Sequence, residues 1–255
     1  RLDVALQGVA HAAKAHAIAR DYSKERHQGR KPDGSPALLA DHADVARMLA
    51  DMDRQTLAAR ALAHTALVAL ETGDTALAEF LTPMAKVAGS EAGMRVTETA
   101  MQVLGGYGYL HEYRLEQAYR DARICAIYEG ANGIQALTLA TRGLSHAGGA
   151  QMRAFERHIS QSAQAHPQDP IKAALQDWTA LCDRVRETPA ELADLLMQSS
   201  IALADLAFWQ RVSRECADTP RLHRLAAGAS TIALHKIESS LHFAHQRETR
   251  VLEMC

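Results

Sequence analysis

Apolar residues recur at helical spacing from the start of the chain. Between residues 2 and 25 they stand three to five positions apart, which places them on one face of a helix. Glycine and proline at 29–36 break this pattern and predict a loop. The apolar pattern resumes at 41–72 and predicts a second helix, with Gly73 as its C-cap.

A third helix is predicted over 75–104, with an interruption at Thr82-Pro83. Threonine is a good N-cap and proline suits the first helical position, so this pair predicts that the helix stops and restarts there. Two shorter helices are predicted farther along the chain, over 114–126 and 132–144.

After a linker at 145–150 the helical pattern returns and continues along the rest of the chain. About four helices are predicted there, because a capping residue precedes a proline at three points. These pairs are Asp169-Pro170, Thr188-Pro189 and Thr219-Pro220. Strand patterns are nearly absent. The sequence therefore predicts an all-α protein with two bundle-like helical domains, 1–147 and 148–255.

Composition narrows the class of protein. Apolar residues make up 47% and charged residues 23%, and the formal net charge is −2. These values are ordinary for a globular protein and lack the basic excess of nucleic-acid-binding domains. No apolar run approaches the roughly 18–20 residues that a membrane span needs. We therefore expect neither nucleic acid nor a membrane as a partner.

Cysteine and histidine give no sign of a disulfide framework or a metal site. No CxxC motif occurs among the four cysteines, Cys125, Cys182, Cys216 and Cys255. Low cysteine usage suits a reducing compartment, so a cytoplasmic location is expected. The histidine pairs at 11 and 16 and at 242 and 245 lack acidic residues at metal-binding spacing, so no metal site is predicted. We expect the tail aromatics Trp178, Phe208 and Trp209 to pack in a core.

The segment 102–135 concentrates the candidate chemistry. Its glycine-rich stretch, Gly105-Gly106-Tyr107-Gly108, allows either a close backbone approach to a ligand or a simple helix C-cap and turn. A dinucleotide-binding fingerprint is excluded, since no strand precedes the stretch. The charged run 120–123 is consistent with a solvated face as well as with a site.

Glu129 is the second candidate in this segment. It stands between Ile127-Tyr128 and Gly130, where one predicted helix ends and the next begins. A carboxylate there is either a helix-terminal capping group or, in an apolar pocket, a base whose pKa is raised by burial. The residues alone leave both readings open.

In combination these stretches resemble a known family. Gln102-Val-Leu-Gly-Gly-Tyr-Gly-Tyr, then Arg-Asp-Ala-Arg at 120–123 and Ile-Tyr-Glu-Gly at 127–130, resembles the C-terminal signature of acyl-CoA dehydrogenases. Tyr-Ser-Lys-Glu-Arg-His-Gln at 22–28 and the stretch 41–52 fit the same family. The resemblance covers residues 1–145. The extra helical tail is similar to that of the 3-methylmercaptopropionyl-CoA dehydrogenase-like subgroup.

The resemblance implies α,β-dehydrogenation of an acyl-CoA thioester with FAD as cofactor. A carboxylate removes the α-proton while a hydride passes to the flavin, and Glu129 matches this base. The base's own backbone N–H polarises the thioester carbonyl in the family. The family also implies a homodimer or homotetramer and an electron-transfer flavoprotein as the electron acceptor.

Further site residues follow from matching the family's motifs. Arg26 corresponds to an arginine that contacts the FAD diphosphate, usually across a subunit interface, and Gln28 to a neighbouring contact. The other implied FAD contacts are Gln102, Gly105, Gly106, Ala131, Asn132 and Gly133. The implied substrate contacts are Arg1, Tyr128 and Gly130.

This chain departs from the family pattern at two positions. Ala131 replaces the usual threonine, which removes one hydroxyl near FAD, and Gly29 replaces the usual phenylalanine. Because the helical pattern is already present at Arg1, the chain is expected to be a fragment that lacks the N-terminal helical and middle β-domains. Such a fragment would bind FAD weakly or not at all.

Two other functions stay open. One is a non-catalytic helical homologue that serves as a structural or oligomerisation module. The other is a DNA-associated relative with the same fold, which the net charge of −2 disfavours.

Overall fold

The computed structural model describes residues 1–163 and 169–254, with side chains described as far as Gln246. Cys255 lies outside the described residues. Nearly all of the described backbone is helical, so the all-α prediction is confirmed. The helices are α1 (Leu2–Glu25), α2 (Ala43–Glu71), α3 (Thr75–Leu104), α4 (Leu115–Ile124), α5 (Asn132–Thr138), α6 (Ala150–Ser162), α7 (Pro170–Glu187), α8 (Pro189–Glu215) and α9 (Pro220–Met254).

Shorter helical turns join some of these helices. A π-helical turn, Leu139–Gly143, continues α5. Turns of 3₁₀ helix cover Leu39–Asp41, Gly105–Tyr109, His111–Tyr113 and His146–Gly149. The last of these falls in the predicted linker, where Ala147, Gly148 and Gly149 all have positive φ.

The chain forms two compact units. Unit one comprises Arg1–Arg60 and Lys86–Glu129, and unit two comprises Ala61–Ala85 and the chain from Gly130 onward. Helices α2 and α3 each contribute residues to both units. This grouping by contacts differs from the division at residue 148, which stays a prediction of domain organisation.

The helix starts in the C-terminal part fall where the capping pairs predicted them. Helices α7, α8 and α9 begin at Pro170, Pro189 and Pro220. At the first, the Asp169 carboxylate accepts a hydrogen bond of 2.8 Å from the Ile171 backbone N–H. That bond satisfies a donor that a helix N-terminus otherwise leaves unpaired.

The predicted interruption of the third helix is wrong. Helix α3 continues through Pro83. The Thr82 hydroxyl donates to the Ala78 carbonyl at 2.7 Å rather than capping a new helix. Phe80, Leu81 and Met84 on both sides of the proline are almost fully buried. Burial of these side chains in one continuous helix outweighs the hydrogen bond that proline removes.

The predicted loop at 29–36 contains a short hairpin. Strand β1 (His27–Arg30) pairs antiparallel with β2 (Pro36–Leu38), with an irregularity in the register. Gly29 and Gly34 have φ values of 75° and 84°, which the turn requires and glycine adopts without strain. Strands of three and four residues are too short to show a two-residue period in the sequence.

Unit one is held by close packing of α1 against α3. Small side chains of α1, chiefly Ala12, Ala15 and Ala19, are fully buried in its core. The backbones approach so closely that a Cβ on Gly8 would lie 2.2 Å from the Gly89 carbonyl oxygen. The helices therefore require glycine at this crossing.

Unit two has an aromatic core. The rings of Phe80 and Phe155 stack with centroids 4.8 Å apart, and Trp178 packs edge-on against both. The Trp178 indole N–H donates to the Ser200 hydroxyl at 2.8 Å. Trp178 and Trp209 are fully buried, as predicted, whereas Phe208 is partly buried.

Helix α8 supplies much of this core. Among the described residues, it is the one helix long and apolar enough to cross a membrane by length and composition. The sequence did not lead us to expect such a segment. Because 61% of its most apolar stretch is buried inside the protein, the core accounts for its apolar character.

Candidate active site

Glu129 lies in the turn between α4 and α5. The backbone N–H groups of Ile127 and Tyr128 donate to the Ile124 carbonyl at 2.9 and 3.2 Å and close the end of α4. Glu129 and Gly130 then adopt φ values of 55° and 89°. A left-handed conformation is unfavourable for a glutamate by about 1–2 kcal/mol, so the surrounding structure must hold it.

One support for this turn comes from Gln135 in unit two. Its side chain is fully buried, and its Nε2 donates to the Gly130 carbonyl at 3.2 Å. A Cβ at position 130 would lie 2.4 Å from that same nitrogen. The backbone conformation therefore favours glycine at 130, and a side chain there would displace the Gln135 amide.

A second support comes from Tyr128 in unit one. Its hydroxyl donates to the side-chain oxygen of Gln7 on α1. It also hydrogen-bonds to the Cys125 thiol, and burial raises the pKa of both groups. The predicted substrate residue Tyr128 is thus held at its hydroxyl end, while more than a third of the residue stays exposed.

Unit one buries a lysine and a cysteine completely near Tyr128. Lys86 and Cys125 are both 0% exposed. Burial lowers the pKa of the Lys86 ammonium. Cys125 opposes this lowering, and the charge of Arg1 reinforces it. The raised pKa of Cys125 keeps its thiol neutral, so it acts as a small packing group rather than as a nucleophile.

Glu129 is exposed, and apolar residues stand close to it in the sequence. Ile124, Ile127 and Tyr128 are 46%, 51% and 37% exposed. These three side chains are close to Glu129 in sequence and expose apolar surface, which the described part of unit one does not enclose. Such an exposed apolar cluster is typical of a surface that another group covers.

Arg26 and Gln28 occupy the junction between α1 and β1. Arg26 has extended backbone angles, and both residues are exposed. Because side chains two positions apart in extended chain point to the same side, we expect their polar groups to share one face. The His42 ring lies 2.7 Å from the Gln28 carbonyl oxygen and ties this strand to the start of α2.

The predicted glycine-rich loop meets Arg26 in unit one. The Arg26 guanidinium carbon lies 5.6 Å from the centre of the Tyr107 ring. The structure thus brings Arg26 together with the loop that Gln102, Gly105 and Gly106 were predicted to form.

Gln102 and Gly105 line a shallow surface hollow of about 360 Å³. A Cβ at Gly105 or Gly106 would meet no atom within 4 Å, so packing in this chain does not explain either glycine. Gly105 has a φ of 60°, which does favour glycine. At Gly108, by contrast, a Cβ would lie 2.5 Å from the Met101 carbonyl oxygen.

The remaining predicted contacts lie at the start of α5 and at the first residue. Ala131 is the N-cap of α5, and its carbonyl accepts from the N–H groups of Ile134 and Gln135. Asn132 and Gly133 form its first turn. Within the described residues, no cluster of three metal-ligating side chains occurs.

Sequence reasoning gave no role to several residues that support these sites. Gln7 has no local signal, because its contact with Tyr128 spans 121 positions. His42 contacts the Gln28 carbonyl, and Gln135 contacts the Gly130 carbonyl. Both contacts depend on the directions of side chains, which a sequence pattern does not predict. Tyr107 was noted only as part of the loop.

Comparison with known proteins identifies the family. Residues 1–144 match the family "acyl-CoA dehydrogenase, C-terminal domain". The 3-methylmercaptopropionyl-CoA dehydrogenase of Ruegeria pomeroyi is 36% identical over 173 residues, which cover 63% of this chain and 29% of that protein. The caffeyl-CoA reductase-Etf complex subunit CarC of Acetobacterium woodii is 37% identical over 139 residues, covering 54% and 35%.

A solved structure extends the likeness of the fold over most of the chain. The acyl-CoA dehydrogenase of Bacillus anthracis, complexed with FAD, matches with a TM-score of 0.76 over 96% of this chain and 48% of its own. Sequence identity is 19%, so this likeness concerns the fold alone. The chain spans about a third of the length of the curated relatives that it matches.

Proposed function

The chain belongs to the acyl-CoA dehydrogenase family, and on that premise we propose that it carries the C-terminal helical domain of an FAD-dependent acyl-CoA dehydrogenase. Glu129 removes the α-proton of the acyl-CoA thioester in this proposal. The division into domains at 1–147 and 148–255 is part of it.

One observation carries the assignment of Glu129. The carboxylate stands on a left-handed turn with exposed apolar side chains beside it. A fixed backbone aims a base at one point, and apolar cover from a bound acyl chain and flavin would raise the basicity of the carboxylate. Its own backbone N–H polarises the thioester carbonyl as the proton leaves.

The residues around Arg26 fit the diphosphate of FAD. Arg26 offers a guanidinium fork and Gln28 an amide on the same exposed face, which suits phosphate oxygens. Ala131 supplies no hydroxyl. At position 131, FAD would therefore be bound by backbone groups and by the neighbouring Asn132. FAD, when bound, accepts the hydride from the β-carbon.

Several properties of the complete protein follow from the proposal. Its substrate is an acyl-CoA thioester and its electron acceptor an electron-transfer flavoprotein, which the name of the Acetobacterium woodii relative supports. The protein is a homodimer or homotetramer in the cytoplasm, and it binds neither nucleic acid nor a membrane. An alignment of 173 residues, longer than the 144-residue family match, supports the kinship with the 3-methylmercaptopropionyl-CoA dehydrogenase-like subgroup.

The test replaces Glu129 in the protein expressed from its complete gene. Glu129→Gln keeps the size of the side chain but cannot accept the α-proton. We expect FAD to stay bound and anaerobic bleaching of the flavin by acyl-CoA to slow by about 10²- to 10⁴-fold, the usual contribution of a general base. Glu71→Gln, at an exposed position at the end of α2, serves as the matched control and should bleach normally.

Two outcomes would contradict the proposal in different ways. Bleaching of Glu129→Gln at the unaltered rate would exclude Glu129 as the base. Failure of the unaltered protein to take up FAD would favour a non-catalytic structural module instead.

A further inference from the structure

Arg26 is held by an aromatic ring in unit one. Its guanidinium carbon lies 5.6 Å from the Tyr107 ring centre, within the range of a cation–π interaction. Among the residues that the structure describes, no carboxylate forms an ion pair with Arg26. No neighbouring carboxylate in that part of the chain therefore competes with a ligand for Arg26, while one contact restricts where the guanidinium can lie.

Tyr107 is itself part of a cluster of three tyrosines. Its ring centre lies 6.3 Å from that of Tyr22 on α1 and 5.6 Å from that of Tyr113. Tyr22 and Tyr113 pack edge to face with centres 5.9 Å apart. The cluster joins the end of α1, next to Arg26, to the glycine-rich loop, so the half-exposed Tyr107 ring packs against two further rings.

The chemistry of this cluster suits a cation that must remain available to an anion. Burial raises the pKa of Tyr22, so its hydroxyl stays neutral at physiological pH. A tyrosine ring attracts a guanidinium through its face and brings no carboxylate that would compete with phosphate. An aspartate or glutamate in the same place would neutralise the arginine.

We propose that Tyr107 is a positioning residue that holds the Arg26 guanidinium in place for a diphosphate ligand. This inference rests on the proposed function, in which that ligand is the diphosphate of FAD. An exposed arginine normally loses side-chain freedom when it binds. Because Tyr107 restricts Arg26 beforehand, less freedom is lost on binding, and affinity for the diphosphate increases.

The experiment measures FAD affinity of the apoprotein made from the complete gene, by quenching of flavin fluorescence. Tyr107→Leu removes the aromatic face, and we expect the dissociation constant to rise about two- to fivefold, as for an exposed cation–π contact. Tyr107→Phe retains the face and should bind FAD like the unaltered protein. These two variants separate the ring from the hydroxyl.

A double-variant series distinguishes positioning of Arg26 from simple loosening of the loop. In an Arg26→Ala background, Tyr107→Leu should weaken FAD binding no further, because the residue it positions is gone. An equal weakening with and without Arg26 would overturn the inference and assign Tyr107 a structural role only. So would an unchanged dissociation constant in Tyr107→Leu.

Failure of the inference and failure of the proposed function give different results. If the unaltered protein does not bind FAD, the proposed function fails. If it binds FAD and Tyr107→Leu binds equally well, the function stands and only the positioning role is lost.

Discussion

At the scale of single residues, the turn at Glu129 depends on side chains that do not take part in chemistry. The Gln135 amide donates a hydrogen bond to the carbonyl of Gly130, the residue directly after Glu129. A left-handed turn has easily reached alternatives, and loss of such a bond lets the backbone sample them. The orientation of the proposed base should therefore depend on Gln135.

Gln135→Met tests this dependence. Methionine fills a similar volume but cannot donate to the Gly130 carbonyl, so stability should fall by about 1–2 kcal/mol. We expect the rate of flavin bleaching to fall more than FAD affinity does, because the turn at Glu129 is misplaced. Urea denaturation and anaerobic stopped-flow mixing measure the two effects.

Gln151→Met is the matched control for that prediction. Gln151 is also a buried glutamine of unit two, and it donates to the Glu79 carboxylate at 2.6 Å. Its replacement should reduce stability without changing the bleaching rate. Equal kinetic effects of the two variants would show that the loss at Gln135 is a general consequence of destabilisation.

The identity of the site residues was accessible from the sequence, whereas their supports were not. Glu129 and Arg26 stand in motifs whose residue order can be matched along the chain. The contact of Arg26 with Tyr107 depends on how α1 and the end of α3 meet in space. Pattern and propensity do not encode that meeting, because it results from packing of the whole unit.

At the scale of elements, the crossing of α1 and α3 is the most constrained contact in unit one. A Cβ on Gly8 would lie 2.2 Å from the Gly89 carbonyl oxygen, and one on Gly93 would lie 2.9 Å from the Gly8 carbonyl oxygen. Both distances are shorter than van der Waals contact, and backbone atoms cannot move aside as a side chain can. The helices would have to separate.

A graded series of alanine substitutions tests the tightness of this crossing. Gly8→Ala should destabilise the protein by about 2–3 kcal/mol, and Gly93→Ala by less, since its clash is milder. Gly228→Ala is the control. It lies within α9, where a Cβ meets no atom within 4 Å, and it should stabilise by about 0.5–1 kcal/mol through helix propensity. Urea midpoints that fall equally for all three variants would contradict the packing argument.

Helix boundaries were predictable where capping chemistry is local. Asp169 precedes Pro170 and caps α7 through its own side chain. The continuity of α3 was not predictable, because Pro83 is tolerated only by virtue of the buried side chains around it. Local rules favoured a restart there, and tertiary packing overrode them.

At the scale of the whole molecule, the grouping of residues into units could not be read from the linker. The composition of 145–150 suggested a boundary there. In the structure, however, α2 and α3 are each divided between the two units. A long helix that belongs to two cores shows an uninterrupted apolar pattern. Periodicity therefore predicts the helix but not the point at which its partners change.

The dependence of stability on pH should reflect His11 in unit one and His158 in unit two, both partly buried. Burial lowers the pKa of His11 and of His158 below the ordinary value of 6.5. At His11, the charge of Asp121 opposes the lowering of the pKa and that of Lys14 reinforces it. At His158, Asp74 opposes the lowering and Arg211 reinforces it. In the unfolded chain both rings take up a proton near pH 6.5, whereas in the folded protein they do so only at lower pH.

The sign of the effect follows from proton linkage. Between the lowered folded pKa and about 6.5 the unfolded state binds more protons, so stability rises with pH there and is lost on acidification. The carboxyls of Asp21, Asp33 and Asp41, which are exposed, and of the half-buried Glu116 have pKa values below their ordinary values of 3.8 for aspartate and 4.5 for glutamate. Their contribution is lost only as the pH falls below about 5.

The two histidines can therefore be tested in a window where these carboxyls are silent. The urea midpoint should fall between pH 7.5 and pH 5.5, and His11→Gln with His158→Gln should flatten that fall, because glutamine takes up no proton. His146→Gln, which removes an exposed imidazole, is the control and should leave the fall in place. If the double variant retained the full dependence on pH, the acid sensitivity in this window would have to arise from other groups, and burial of His11 and His158 would not be its cause.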